Sequence, residues 1–243
     1  MQTLITIFLT LGFLLMGYLF GSISWGVILS KRFKKQDIRD LGSGNAGATN
    51  VGRVFGKKIG ALVMILDIFK TIIPVSVAFI IYYFAFIQTG LYQDALLLID
   101  GVPLRLFYFA GFGSVIGHVY PLFYDFRGGK AVAGVFGLVL AINWLFAILI
   151  ALTFLLILKI TKYVSLSSIT SSVVISVMFL FGAIFLNVLR FSFWEGIIAS
   201  PFLDTNYEAF IIIAISSIIL IARHHTNITR LINKTERKIT WLK

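Results

Sequence analysis

The 243-residue chain has no cysteine, which excludes disulfides, thiol nucleophiles and thiolate metal sites. It has three histidines, His118, His224 and His225, too few and too scattered for a zinc site. It is short of charge: 13% of its residues are Asp, Glu, Lys or Arg, where soluble domains carry about a quarter. It is shorter still of acid, with 10 Asp+Glu against 21 Lys+Arg and a net charge of +11. It has no internal repeat, no low-complexity tract, and no basic segment ahead of its first apolar run, "MQTLITIFLTLGFLLMGYLFGSISWGVILS". That run exceeds the apolar core of about 7–15 residues in a signal peptide. Its positive charges follow it, as Lys31, Arg32, Lys34 and Lys35. It reads as an uncleaved first helix with its N-terminus outside.

What is present is mostly apolar: 59% hydrophobic residues and a mean hydropathy of +0.97. Apolar runs recur that are long enough to cross a hydrocarbon core of roughly 30 Å. The composition predicts an all-α polytopic membrane protein, with residues 1–243 as a single membrane-embedded domain. The basic excess reads first as positive-inside bias and contact with anionic membrane lipids, rather than as nucleic-acid binding. A second source is an anionic substrate.

Candidate spans fall at roughly 3–30, 59–87, 102–120, 131–160, 166–189 and 207–222. The block 131–160 suits one long tilted helix or two short ones broken near Asn143-Trp144. With two, segments 31–58, 118–130, 159–165 and 223–243 share one side and hold 18 of the 21 Lys+Arg. With one, the six C-terminal bases move across. Positive-inside bias therefore predicts seven transmembrane helices, with the N-terminus outside and the C-terminus cytoplasmic. The first piece of the split block, about 13 residues, spans only ~20 Å and reads as a half-length or tilted helix. The outer segments hold Asp94, Asp100, Glu195, Asp204 and Glu208, with only Arg105 and Arg190 as bases. Gly113 and Gly117, four apart, read as a helix-packing contact.

Three polar stretches, at about 31–58, 117–130 and 223–243, fall on the side read as cytoplasmic. The first contains "DIRDLGSGNAGATNVGR", Asp37–Arg53. Glycines such as Gly42 and Gly44 let backbone N–H groups converge on an anion. Ser43, Asn45, Thr49 and Asn50 add neutral donors, and Arg53 adds a bidentate cation. A plain flexible linker needs none of these. The nearby "GRVFGKK" is not a Walker A loop: its glycine spacing is too short and no Ser or Thr follows the lysine.

The second is "GHVYPLFYDFRGGKAVAG", Gly117–Gly134. Gly128-Gly129-Lys130 runs straight into an apolar helix, whose N-terminal N–H groups favour a phosphate. The competing reading is a basic interfacial anchor. His118 and Asp125 are seven apart, and no His-x4-Asp pair, the signature of acyl-CoA-dependent glycerolipid acyltransferases, occurs in the chain. The third is "RHHTNITRLINKTERK", Arg223–Lys238, in which Arg223, Asn227 and Arg230 sit at helical spacing. On composition alone it is also a positive-inside tail. Asp67 and Lys70, at i, i+3 inside a span, read as a structural ion pair. "TKYVSLSS", Thr161–Ser168, is a short polar turn.

With the three stretches in view, the sequence resembles the bacterial acyl-phosphate:glycerol-3-phosphate acyltransferase family. That family carries "GSGNxGATNVxR", "GHxxPxFxxFxGGKxVA" and "RHxxNIxRL…E" in this order on cytoplasmic loops. Here they read "GSGNAGATNVGR", "GHVYPLFYDFRGGKAVA" and "RHHTNITRL…E", ending at Glu236. "LDIFK" and "YVSLSS" are also similar, so the resemblance runs from about Tyr18 to Glu236. There are departures. The chain is longer than usual around 88–104 and 190–208, Ala131 stands where a further glycine is common, and His225 adjoins His224.

The resemblance implies a seven-helix membrane domain in the bacterial cell membrane with its active site on the cytoplasmic face. It implies acyl transfer from acyl phosphate to the sn-1 hydroxyl of glycerol 3-phosphate, giving lysophosphatidate and inorganic phosphate, with no metal or other cofactor. It implies that Ser43, Arg53, Lys130, His224 and Asn227 are catalytic. Gly42, Gly44, Asn45, Thr49, Asn50, His118, Gly128, Gly129 and Ser165 would bind substrate. The main rival is a small secondary transporter of a phosphorylated anion. Such proteins place polar, broken-helix features near the bilayer midplane and often carry repeats, whereas here the polar motifs lie at one face. A non-catalytic lipid-binding scaffold would explain the basic face but not the Ser, Asn and Gly of the loops.

Overall fold

The computed structural model describes residues 2–84, 98–99, 102–103, 105–189 and 206–239. Its contacts fall into two compact units, residues 1–138 and 139–243.

The first unit contains α1 (Gln2–Gly21), α2 (Trp25–Lys34), α3 (Ala48–Phe55), α4 (Lys57–Tyr82) and α5 (Tyr108–Val119). It also holds two short strands, β1 (Leu98–Ile99) and β2 (Val102–Pro103), paired antiparallel. α6 (Val132–Ile142) crosses into the second unit, which continues with α7 (Trp144–Thr161), α8 (Val164–Leu189), α9 (Tyr207–Ala222) and α10 (His225–Ile232).

Glycine sets how closely α1 and α5 pack. A Cβ at Gly113 would overlap the backbone of Leu14 and Tyr18, and one at Gly117 the backbone of Tyr18 and Ser22. The Gly113/Gly117 packing contact expected from sequence is therefore present, with α1 as its partner. At the end of this seam the Tyr18 hydroxyl donates to Tyr120 O at 3.0 Å, and Leu122 N donates to Ser22 Oγ at 3.1 Å. These bonds tie the turn after α5 to the break between α1 and α2. Beneath the glycine-rich loop, Val27, Ile38, Ala46, Val51 and Val63 form a buried cluster, edged by Trp25, Leu29 and Tyr124. In the second unit Ile175, Phe179, Ile213 and Leu220 are buried. Leu152, Leu155 and Leu156 of α7 are exposed, as expected of surface that meets lipid chains.

The expectation of seven crossings is corrected. Among the described residues four helices are long and apolar enough to span: Thr6–Lys34, Lys57–Tyr82, Trp144–Thr161 and Val164–Phe185. A fifth is reached only if Tyr207–Ala222 and His225–Ile232, bent by 59° at their junction, count as one. The reason is length. α5 has 12 residues and α6 has 11, and at 1.5 Å per residue they reach about 18 and 17 Å, well short of ~30 Å. The apolar block 131–160 does divide at Asn143, whose extended backbone and side chain, accepting from Phe146 N at 2.9 Å, start α7 afresh. The orientation of the termini, which rested on counting seven, falls with the count. The longer outer stretches at 88–104 and 190–208 lie mostly outside the described residues.

Candidate functional site

In the first unit the loop from Leu41 to Gly47 is wound around one side chain. Asn50 is buried, and its Nδ2 donates to Leu41 O at 2.9 Å, Asn45 O at 3.0 Å and Ile38 O at 3.2 Å. Its Oδ1 accepts from Ser43 N at 2.9 Å. Gly42 lies at φ +64°, where a Cβ would also collide with Asn50 Oδ1 and Val54. Of the residues expected to bind substrate here, Asn50 shapes the loop from inside, and Asn45 supplies one of the carbonyls. Ser43, Thr49 and Arg53 are exposed on the loop and on α3, which the loop enters at Gly47.

Sequence reasoning missed the pair that anchors this loop. Asp37 accepts from Arg39 N at 2.9 Å and grips the Arg39 guanidinium at 3.0–3.3 Å, with Lys31 at 3.2 Å. Burial pushes the Asp37 carboxyl up, but the Arg39 side chain, its N–H and Lys31 outweigh that and bring it from 3.8 to about 2. Arg39 Nη1 then donates to Tyr124 O at 2.8 Å, fastening the first polar stretch to the second. The Asp-x-Arg spacing was the available signal.

In the second stretch, Gly129 N donates to His118 O at 3.0 Å, and Gly129 packs on the His118 imidazole so closely that a Cβ would overlap it. His118, expected at the substrate, is 7% exposed and lies beneath this loop. Its Nδ1 is 3.8 Å from Asp67 Oδ1. Asp67 pairs with Lys70 at 2.9 Å, both 3% exposed, as expected, and Lys70 Nζ also donates to Ile23 O at 2.8 Å. Lys130 is half-buried. Ala131, buried at φ +60°, takes a left-handed conformation ahead of α6. For an L-residue this costs about 1–2 kcal/mol, a strain that glycine would not carry.

In the second unit the C-terminal segment turns back at Lys234 (φ +56°) and is held by Glu236. Glu236 Oε1 accepts from Asn227 Nδ2 at 2.7 Å and Ser165 Oγ at 2.9 Å; Oε2 accepts from Arg230 Nε at 2.6 Å. Burial pushes this carboxyl up, yet Arg230, Asn227 and Ser165 together hold it below its ordinary 4.5. Ile239 N donates to Lys162 O at 2.9 Å, completing the return. Asn227 and Ser165 are thus brought together by a carboxylate that spacing could not connect, because the chain reverses between them. His224 is 3% exposed with Nδ1 2.8 Å from Leu220 O, whereas His225 is exposed. A carbonyl only accepts, so in neutral His224 Nδ1 carries the proton and Nε2 the lone pair.

The sequence profile of the family described as glycerol-3-phosphate acyltransferase matches residues 11–234. The glycerol-3-phosphate acyltransferase of Ureaplasma urealyticum serovar 10 is 39% identical over 230 residues, 92% of this chain and 88% of that protein. That of Staphylococcus aureus strain Newman is 36% identical over 233 residues, 94% of this chain and 97% of its own. Among solved structures the chain is similar to PlsY (YgiH), an integral membrane glycerol 3-phosphate acyltransferase, in its glycerol 3-phosphate form. The identity is 33% and the TM-score 0.72, covering 95% of this chain and 96% of that one. The lysophosphatidic acid form gives 32% and 0.70. The match spans nearly the whole chain, and the chain belongs to the glycerol-3-phosphate acyltransferase family, as a multi-pass membrane acyltransferase of the PlsY type.

Proposed function

We propose that the protein transfers a fatty acyl group from acyl phosphate to the sn-1 hydroxyl of glycerol 3-phosphate on the cytoplasmic face of the bacterial cell membrane. The hydroxyl oxygen attacks the acyl carbonyl carbon and the carbon–oxygen bond to phosphate breaks. Inorganic phosphate leaves with the hydroxyl proton, and the product is lysophosphatidate. The mixed anhydride is already activated, so the protein's task is to position two phosphate-bearing substrates and neutralise their charge. The observation that carries this reading is the 33% identity and TM-score of 0.72 to an acyltransferase solved in its glycerol 3-phosphate form. The cytoplasmic face is supported by the eight Lys and Arg between Lys31 and Lys58.

Ser43, exposed on the loop ahead of α3, and Arg53, exposed in the last turn of α3, are proposed to hold phosphate together with Thr49 and the loop amides around Gly42 and Gly44. Lys130 and the Gly128-Gly129 amides supply a second cationic site. In the second unit His224 and Asn227 act at the reacting groups, and Ser165 contributes next to Asn227. The buried, carbonyl-held imidazole supports His224 over His225 in this role.

The test is phosphate release from purified protein given acyl phosphate and glycerol 3-phosphate. Turnover is expected with acyl phosphate and not with acyl-CoA; equal turnover with acyl-CoA overturns the donor. Lys130→Ala should leave membrane yield unchanged and lower activity by about 10²-fold, the scale of a lost electrostatic stabiliser. Near-normal activity would return Lys130 to an anchoring role at the lipid surface.

A further inference from the structure

A membrane span rarely keeps a carboxylate and an ammonium unless something depends on them, because taking both out of water is expensive. Asp67 and Lys70 answer each other at 2.9 Å, and that alone would make them a self-contained pair. Their other neighbours do not fit so closed a role. Lys70 Nζ reaches Ile23 O at 2.8 Å, at the break between α1 and α2. Lys70 O accepts from Ser114 Oγ at 3.1 Å, and Ser114 meets Thr71 Oγ1 at 2.9 Å, which fixes α5 on α4. Asp67 Oδ1 faces His118 Nδ1 at 3.8 Å. From His118 the contacts lead directly to the glycine pair: His118 O accepts from Gly129 N, and the imidazole is the surface on which Gly129 rests. The same stretch of α4 also receives the middle of α6. A Cβ at Gly137 would come within 2.7 Å of Ile68 O and 3.2 Å of the Thr71 side chain. On either side of Lys130 the chain therefore rests on residues 67–71, at Gly129 through His118 and at Gly137 through α6.

We propose that Asp67 and Lys70 are positioning residues for the Gly128-Gly129-Lys130 loop, acting through His118. Lys70 fixes the carboxylate of Asp67, Asp67 sets the imidazole of His118 electrostatically, and His118 sets the height and tilt of the Gly129 amide by its carbonyl and its ring. No substrate contact is assigned to any of the three. Charge is needed because an apolar pair of the same volume could fill the space but could not orient an imidazole. The inference rests on the reading of this loop as a phosphate site.

The experiment is the double variant Asp67→Leu/Lys70→Met in the full-length protein, with Gly129→Ala and Lys130→Ala measured alongside. Apolar residues of similar volume often replace a buried ion pair without loss of stability, so the double variant should purify in normal yield and unfold near the wild-type midpoint. It should nevertheless show a KM raised about tenfold or more, with kcat changed less, for the same phosphate substrate whose KM rises in Gly129→Ala. Wild-type KM values in a folded double variant would overturn the proposal, as would a loss confined to the active fraction. If the double variant does not purify, His118→Gln is decisive: the same KM should rise, and an unchanged KM overturns the proposal. Should Gly129→Ala and Lys130→Ala both be silent, the loop is not a phosphate site, and that reading falls together with this one. If the loop variants are impaired and the double variant is not, only the inference about Asp67 and Lys70 falls.

Discussion

The two units organise their polar motifs by opposite means. In the first an amide is the hub: Asn50, one side chain, takes three backbone carbonyls and one backbone N–H of the glycine-rich loop. In the second the hub is a carboxylate: Glu236 gathers Ser165, Asn227 and Arg230. The surroundings differ accordingly. Around Asn50 the groups proposed for phosphate, Ser43, Thr49 and Arg53, stand exposed; around Glu236, Ser165 and Asn227 are buried. A neutral hub can lie directly beneath an anion site because it adds no repulsion. An acidic hub can serve a protein of phosphate-bearing substrates only if its charge is paired, and Arg230 at 2.6 Å supplies that pairing.

The sharpest way to break this comparison is to put acid where the amide is. Asn50→Asp replaces a donor facing three carbonyls with a second acceptor carrying charge, inside a site that is 1% exposed. The expected loss is about 3–5 kcal/mol, the scale of an uncompensated buried charge. Thermal unfolding in detergent and phosphate release should both show it, with activity at background. Asn50→Ala leaves the carbonyls unsatisfied without adding charge and should cost about 1–3 kcal/mol. An Asp variant as stable as the Ala variant would mean that Asn50 is not the hub.

How far each region was legible follows from the same difference. The first loop could be read as an anion-binding stretch because its glycines, hydroxyls and Arg53 are contiguous. Composition offered no way to tell that Asn50 faces inward while Ser43 and Thr49 face out, since all are small and polar and only the fold separates them. Glu236 was visible as the end of a motif, but its partners lie six, nine and 71 positions away across a chain reversal, beyond any helical period. The crossing count failed for a related reason. Hydropathy shows that 102–120 and 131–142 are apolar, yet apolar residues serve a short buried helix as well as a span. α5 and α6 are short buried helices, with Ala110, Val115, Leu138 and Ile142 all at 0% exposure. Gly113 and Gly117 were legible because a spacing of four falls within one helix and marks one face.

The second test is milder and concerns the carboxylate hub. Glu236→Gln keeps an oxygen for Ser165 and Asn227 but removes the charge that pairs Arg230. It should destabilise the protein by about 1.5–3 kcal/mol, the range for a charged hydrogen bond. Activity should fall about tenfold, because Asn227 loses part of its restraint. Arg230→Met leaves the carboxylate buried without its cation and should be worse than Glu236→Gln by the same measurements. If Arg230→Met is the gentler of the two, Arg230 is not what makes an acidic hub tolerable.

The smallest effect is that of acid, and it tells the two hubs apart without any substitution. An amide has no proton to gain in this range, and Asp37, the acid that anchors the first loop, gives up its stabilisation only below its ordinary 3.8, its folded value being lowered to about 2. Glu236 titrates below its ordinary 4.5 because the folded protein stabilises its charged form. A group whose folded value is lowered gives its full stabilisation above the unfolded value and loses it as pH falls through the folded one. Stability from Glu236 is therefore complete at neutral pH and declines below about pH 4.5. Backbone hydrogen exchange, expressed as protection over an unstructured reference, reads this locally. Between neutral pH and about pH 4, protection should fall at Ile239 N, which closes the C-terminal return on Lys162 O, and hold at Gly44 N, which is bonded to Leu41 O. In Glu236→Gln the pH dependence at Ile239 should vanish, since no carboxylate remains to titrate. Equal loss of protection at both amides, or an unchanged slope in the Gln variant, would show that the two regions do not differ in the way their hubs suggest.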